Sequence, residues 1–197
     1  MKKILILIIV LLASALYFHD ELKQIISPPE ITIDGKDLIL RDGLTYQKFT
    51  EVPFTGKVTG KEEQGSFKNG KQDGAWVHYH KNGQLQFKGN YKNDKKYGTI
   101  ENYYDNGQMS SKGNYTNGTM DGDWVDYWSN GQLSYKGTYK NGEEEGAWVS
   151  YHNNGQLRRK GNYTNGKKEG AWVHYKRDGT VDNFYTGTFK DGKKISD

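Results

Sequence analysis

A 24-residue period runs through most of this chain. Successive units open at Gly74, Gly98, Gly122, Gly146 and Gly170, and each reads roughly G-x-W-V-x-Y-x-x-N-G-Q-L-x-x-K-G-N-Y-x-N-G-x-x-x. A fixed period of this length marks a repeat architecture, in which one unit cannot bury its apolar face alone and neighbours must stack. The constraint reaches function as well. Near-identical units build a continuous surface more readily than one asymmetric catalytic pocket.

The unit reads as a β-hairpin. Asn-Gly between β-prone runs is the strongest short hairpin signal, and it recurs at Asn69, Asn82, Asn106, Asn117, Asn130, Asn141, Asn154 and Asn165. The turns alternate about 11 and 13 residues apart, which predicts an all-β, antiparallel β-meander with two strands per unit. Only 34% of residues are hydrophobic, but 15 Tyr and 5 Trp fall largely at fixed phase, which favours an ordered aromatic-rich sheet over disorder. An isolated hairpin is marginal in water, so the units must pair edge to edge.

Turn geometry sets the expected register. A type I′ turn has positive φ at both central residues, which Asn then Gly tolerate best. With Asn82-Gly83 as that pair, Lys81 meets Gln84, His80 meets Leu85, His78 meets Phe87 and Trp76 meets Gly89. The same count sets Trp124 against Gly137 and Trp148 against Gly161, each indole covering that glycine. Trp76, Leu85 and Tyr91 then share one face, with Val77, Tyr79, Gln86 and Lys88 on the other.

Residues 1–18 form a leader: Lys2 and Lys3, the apolar run Ile4–Leu12, then Ala13-Ser14-Ala15. This is the layout of a secretory signal peptide. The rival reading is an uncleaved helical membrane anchor over Ile4–Phe18, although that stretch spans about 22 Å against a hydrocarbon core of ~30 Å. Either reading takes the repeats out of the cytoplasm, to a periplasmic or extracellular location or to a membrane tether. The chain has no Cys, hence neither disulfide nor lipid-attachment thiol. Residues 19–30 read as a spacer, 31–64 as N-terminal cap strands with an Asp34-Gly35 turn, 65–192 as the repeat domain and 193–197 as a tail. The last unit replaces N-G-Q-L with Asp178-Gly179-Thr180-Val181 and carries two extra residues before Gly187.

Catalytic and metal signatures are weak. His78 and His80 alternate on one strand, but the equivalents of position 80 are Tyr104, Trp128, His152 and Lys176, a drift that suits a tolerant polar surface. Glu143-Glu144-Glu145 follows an Asn-Gly turn, with Lys140 expected across from Glu143. The glycosylation-type sequons at Asn114, Asn117 and Asn162 fall where the repeat places Asn anyway. No nucleophile motif or phosphate-binding loop stands out. We therefore expect no enzyme, no cofactor and no metal. With 28 basic and 24 acidic residues interspersed, there is no basic stripe and no nucleic-acid signature.

What remains is a surface. Lys88, Lys112, Lys136 and Lys160 recur in every unit, interleaved with Tyr79, Tyr103, Tyr127, Tyr151 and Tyr175, and with Arg158 and Arg159 among them. Tyr and Arg are typical interface anchors. These eleven residues are the candidate partner-binding set, for a protein partner or for an anionic membrane surface.

The motif G-x-W-x-x-Y-x-x-N-G-Q-L-x-x-K-G-N-Y-x-N-G resembles the MORN repeat, in the bacterial variant found in an antitoxin family of toxin–antitoxin systems. The lead-in Asp42-Gly43-Leu44-Thr45-Tyr46 and Pro53-Phe54-Thr55-Gly56 is similar to that family's opening. The resemblance implies an extended, twisted single-layer β-sheet of tandem MORN-type hairpins. It also implies a non-catalytic factor that binds and neutralises a partner protein, a toxin, in an antitoxin or immunity-type role.

Overall fold

The computed structural model describes residues 31–197; the leader and spacer expected over residues 1–30 lie outside the described residues. Seventeen strands follow in chain order. A short N-terminal group comprises β1 (Thr32–Asp34), β2 (Leu38–Arg41), β3 (Leu44–Gln47), β4 (Gly56–Thr59), β5 (Glu63–Lys68) and β6 (Lys71–Gln72). The repeats supply β7 (Gly74–Tyr79), β8 (Leu85–Lys92), β9 (Lys95–Tyr103), β10 (Met109–Thr116), β11 (Thr119–Tyr127) and β12 (Leu133–Lys140). They continue with β13 (Glu143–Tyr151), β14 (Leu157–Thr164), β15 (Lys167–His174), β16 (Gly187–Lys190) and β17 (Lys193–Ser196). The one helical element among the described residues is a 3-10 turn over Gly35–Asp37.

From β7 to β17 every strand pairs with its sequence neighbours, as a meander requires. The large sheet is open and antiparallel except at its first edge, where β1 runs parallel to β4. β2 and β3 form a separate hairpin. The Asp34-Gly35 pair does not join two paired strands, as the sequence reading expects. Asp34 instead caps the 3-10 turn, its carboxylate accepting the Lys36 amide at 3.0 Å. The extra residues of the last unit form a turn, in which the Thr186 amide donates to the Asp182 carbonyl at 3.0 Å.

The Asn-Gly turns are of two kinds, and only one matches the expectation. Asn69, Asn117, Asn141 and Asn165 have φ of 49–52°, each followed by a positive-φ glycine, as a type I′ turn demands. Asn82, Asn106, Asn130 and Asn154 are absent from the positive-φ residues; there only Gly83, Gly107, Gly131 and Gly155 are left-handed. The His80 amide donates to the Gln84 carbonyl and the Gly83 amide to the His80 carbonyl, both at 2.8 Å, giving a three-residue loop closed by a glycine bulge. Asparagine is chosen here for its side chain. Asn82 Oδ1 accepts the Gln84 amide at 3.0 Å, and Nδ2 donates to the Asp105 carbonyl of the next unit at 2.6 Å. Asn106, Asn130 and Asn154 repeat both bonds.

This loop corrects the register beside it. Leu85 pairs with Tyr79 rather than with His80, which removes it from the Trp76 row. Gln86 is then left over as a bulge, and the ladder returns to the expected count at His78–Phe87 and Trp76–Gly89. Two irregularities cancel, so the central pairings hold although the turn type differs.

A second bulge lies at the opening glycines. Between Lys88–Glu101 and Asn90–Tyr97 the pairing slips, with Gly98 at φ +70° inside the slip. A Cβ there would meet no atom within 4 Å, so the backbone angle, not crowding, calls for glycine.

Across the sheet the bulges align a row in which large side chains alternate with glycine: Trp76–Gly89, Ile100–Gly113, Gly113–Trp124, Trp124–Gly137, Trp148–Gly161 and Trp172–Gly187. The indole does not cover the glycine that follows it, as expected. It leans back over the glycine of the preceding strand: Trp76 over Gly65, Trp124 over Gly113, Trp148 over Gly137 and Trp172 over Gly161. Tyr91, Tyr115, Tyr139 and Tyr163 pack edge-on against these rings, with centroids 4.8–6.3 Å apart. The rings bury one another, leaving Trp76 and Trp172 only 1% exposed.

Candidate functional site

On the face opposite the indoles, one position along each strand, a second row crosses the sheet. Its pairings run Val77–Lys88, Lys88–Glu101, Glu101–Lys112, Lys112–Val125, Val125–Lys136, Lys136–Val149, Val149–Lys160 and Lys160–Val173. The four lysines of the candidate set thus fall in one line, all exposed. Paired strands lie ~4.8 Å apart, so lysines on alternate strands repeat about every 10 Å. Tyr79, Tyr103, Tyr127, Tyr151 and Tyr175 stand two residues beyond the valine position and are half-buried beside this row.

Electrostatics divides the row. Lys112 Nζ is 2.9 Å from Glu101 Oε1, and the Tyr103 hydroxyl donates to Glu101 Oε2 at 3.1 Å. The bond from Lys112, foremost, holds the Glu101 carboxyl below its ordinary range, and Glu101 in turn raises the Lys112 ammonium. Val125, Val149 and Val173 occupy the later positions equivalent to Glu101, and no carboxylate pairs with Lys136 or Lys160 among the described residues. This stretch forms a groove of about 870 Å³. Its lining includes Val125, Val149 and Val173, the glycines at 113, 137 and 161, and the lysines at 112, 136 and 160.

The two arginines do not join that face together. Arg159 pairs with Ser150 and His174 and sets its guanidinium 5.9 Å from the Trp172 ring, on the aromatic side. Arg159 neighbours Lys160 on β14, so strand alternation alone puts it on the opposite face, across from Ser150. The Arg158 carbonyl accepts the Tyr175 amide at 2.7 Å.

The histidine positions carry a constraint that sequence comparison between units missed. His80 Nε2 meets the Tyr103 carbonyl at 2.9 Å, the Tyr104 hydroxyl the Tyr127 carbonyl at 2.8 Å, Trp128 Nε1 the Tyr151 carbonyl at 3.2 Å, and His152 Nε2 the Tyr175 carbonyl at 3.0 Å. A carbonyl only accepts, so each side chain donates. In these four units the row therefore supplies a ring or hydroxyl donor that reaches the next unit. His78 instead stacks on Trp76, 5.8 Å between centroids, with Nδ1 3.8 Å from Glu63. Among the described residues no group of three or more His, Asp or Glu side chains is placed to hold a metal ion. Lys140 does pair with Glu143, and Glu145 accepts the Asn165 amide at 3.0 Å.

Residues 72–93, 96–117, 120–141 and 144–165, each of which folds into one repeating unit, match the MORN repeat variant. The chain carries four tandem MORN repeats. Each match begins next to one type I′ turn and ends at the following one, so a MORN unit here runs between successive two-residue turns. The N-terminal strands before Gln72 and the altered unit after Asn165 lie outside the matched residues. No curated protein matches the chain.

Proposed function

We propose that the MORN sheet is a non-catalytic docking scaffold that holds a partner protein along its valine–lysine–tyrosine face. The observation that carries the reading is the groove over β10–β15. Its floor is apolar, its lysines at 136 and 160 have no carboxylate partner among the described residues, and the same chemistry recurs in successive units. A surface of that kind suits an acidic, elongated partner, which gains apolar burial from the valines and charge complementarity from the lysines. The resemblance to antitoxins makes a toxin of the envelope or exterior the favoured partner, given the export-type leader at residues 1–18.

Affinity capture followed by binding measurements at two salt concentrations tests the reading. One acidic protein should bind the wild type tightly, and the Lys136→Glu/Lys160→Glu variant at least tenfold more weakly, with a shallower salt dependence. The lysine row also favours a second reading, attachment to anionic headgroups. Flotation with phosphatidylglycerol vesicles separates the two, since recovery with vesicles and no captured protein supports the membrane reading.

A further inference from the structure

The repeats offer an internal comparison on the aromatic face. In the unit of Trp124, the residue two positions on is Asp126, whose Oδ1 accepts Trp124 Nε1 at 3.0 Å. Asp126 pairs across the sheet with Tyr135, whose hydroxyl also steadies the carboxylate. One unit later the same two positions hold Ser150 and Arg159, again paired. The carboxylate has gone from the chain, and a guanidinium has arrived beside its former place.

Three observations converge there. Ser150 is 7% exposed and Trp148 8%, yet neither Ser150 Oγ nor Trp148 Nε1 has a hydrogen-bond partner among the described residues. Buried donors of this kind are rare and call for an explanation. Other indoles find one: Trp76 donates to the Ser66 carbonyl at 3.1 Å and Trp172 to that of Asn162 at 2.9 Å. Both unpartnered groups line a cavity of about 230 Å³, walled by Tyr135, Tyr139 and Tyr163 and by Arg159. No carboxylate pairs with Arg159 among the described residues, and Lys168, whose ammonium lies 4.7 Å from the Trp172 ring that lines the same cavity, adds positive potential from the next strand.

We propose that this cavity binds a small monocarboxylate with a flat apolar body, its carboxylate standing between Arg159 and Ser150 where Asp126 stands in the preceding unit. Guanidinium and carboxylate match in geometry and charge. The cavity is smaller than the ~300–1,000 Å³ of drug-sized sites, which points to a single-ring acid lodged among tyrosine rings. Glu144 also lines this cavity, six residues before Ser150 on β13, and disfavours a second negative charge on the ligand.

Benzoate titrated into the full chain, read by tryptophan fluorescence and by calorimetry, tests the site. Saturable binding at about millimolar affinity or better is expected. The neutral isostere benzamide and the dianion phthalate should each bind at least tenfold more weakly. Arg159→Gln should weaken benzoate at least tenfold. Ser150→Asp should abolish binding and raise the melting temperature, because the chain then supplies the carboxylate itself. Lys136→Glu/Lys160→Glu, on the other face, should leave benzoate binding unchanged, so this test and that of partner docking can fail separately. Absence of saturation, equal binding of benzamide, or unaltered binding by Arg159→Gln would each overturn the proposal; the arginine variant decides the matter if Ser150→Asp does not fold.

Discussion

Glycine serves two different ends in this chain, and substitutions separate them. A Cβ on Gly137 would run into the Trp148 ring, whereas one on Gly146, at φ +70°, would meet nothing. Gly137→Ala must push an indole out of a packed row and should cost about 1–3 kcal/mol or somewhat more. Gly146→Ala incurs only the left-handed backbone penalty, about 1–2 kcal/mol. Urea unfolding with an unchanged m-value checks both, and an apo crystal structure should show the ring displaced only in Gly137→Ala. At the position of His80, Tyr104, Trp128 and His152 the shared property is a donor at the side-chain tip, which residue names conceal. Trp128→Phe keeps the ring and loses the bond to the Tyr151 carbonyl. It should cost about 1 kcal/mol, up to ~3 if that carbonyl stays dry.

One dipeptide makes two turns because loop length differs by a residue, and hydrophobic alternation does not reveal that difference. The meander, the Trp76–Gly89 pairing and the lysine row were legible because the loop's bulge and the Gln86 bulge cancel. The side on which Arg159 falls was legible too, since it alternates with Lys160, but the direction in which the indoles lean was not, because register fixes the pairing of a ring and not which neighbouring strand it covers. A pair of variants exposes the distinction. Asn141→Gly should be tolerated, because φ +52° there suits glycine. Asn130→Gly should lose about 1–2 kcal/mol with the bonds to the Gln132 amide and the Asn153 carbonyl. Equal effects in thermal melts would refute the assignment of turn types. On β15, burial first, and then the charges of Lys168 and Arg159, hold the His174 imidazole down at about 4 from an ordinary 6.5. The unfolded chain therefore takes up this proton at higher pH than the folded one. The stabilisation is complete above pH ~6.5 and is lost as pH falls toward ~4. His174→Gln should flatten the melting-temperature profile in that window relative to wild type.

For the molecule as a whole, the period predicts modular behaviour. Excising residues 122–145 joins one opening glycine to the next and restores every pairing one unit shorter. The variant should keep its β circular dichroism with a smaller m-value, whereas excising residues 122–133 puts unlike turns at the same end of the sheet and should unfold the later strands. The cavity beside Ser150 and Arg159 lies beyond what the repeat motif specifies. The motif records what all units share, and Ser150 and Arg159 stand at positions where the units differ.

The asparagine contacts give the array a direction. Each three-residue loop reaches forward from Asn to a carbonyl of the following loop, ending with Asn154 on Arg177. The next loop has Asp178, whose carboxylate accepts from the Thr180 amide and hydroxyl and has no hydrogen to give. That single exchange of amide for acid works as a terminator. Splicing further units after it would leave a seam at Asp178, and Asp178→Asn is the change that would let the row continue.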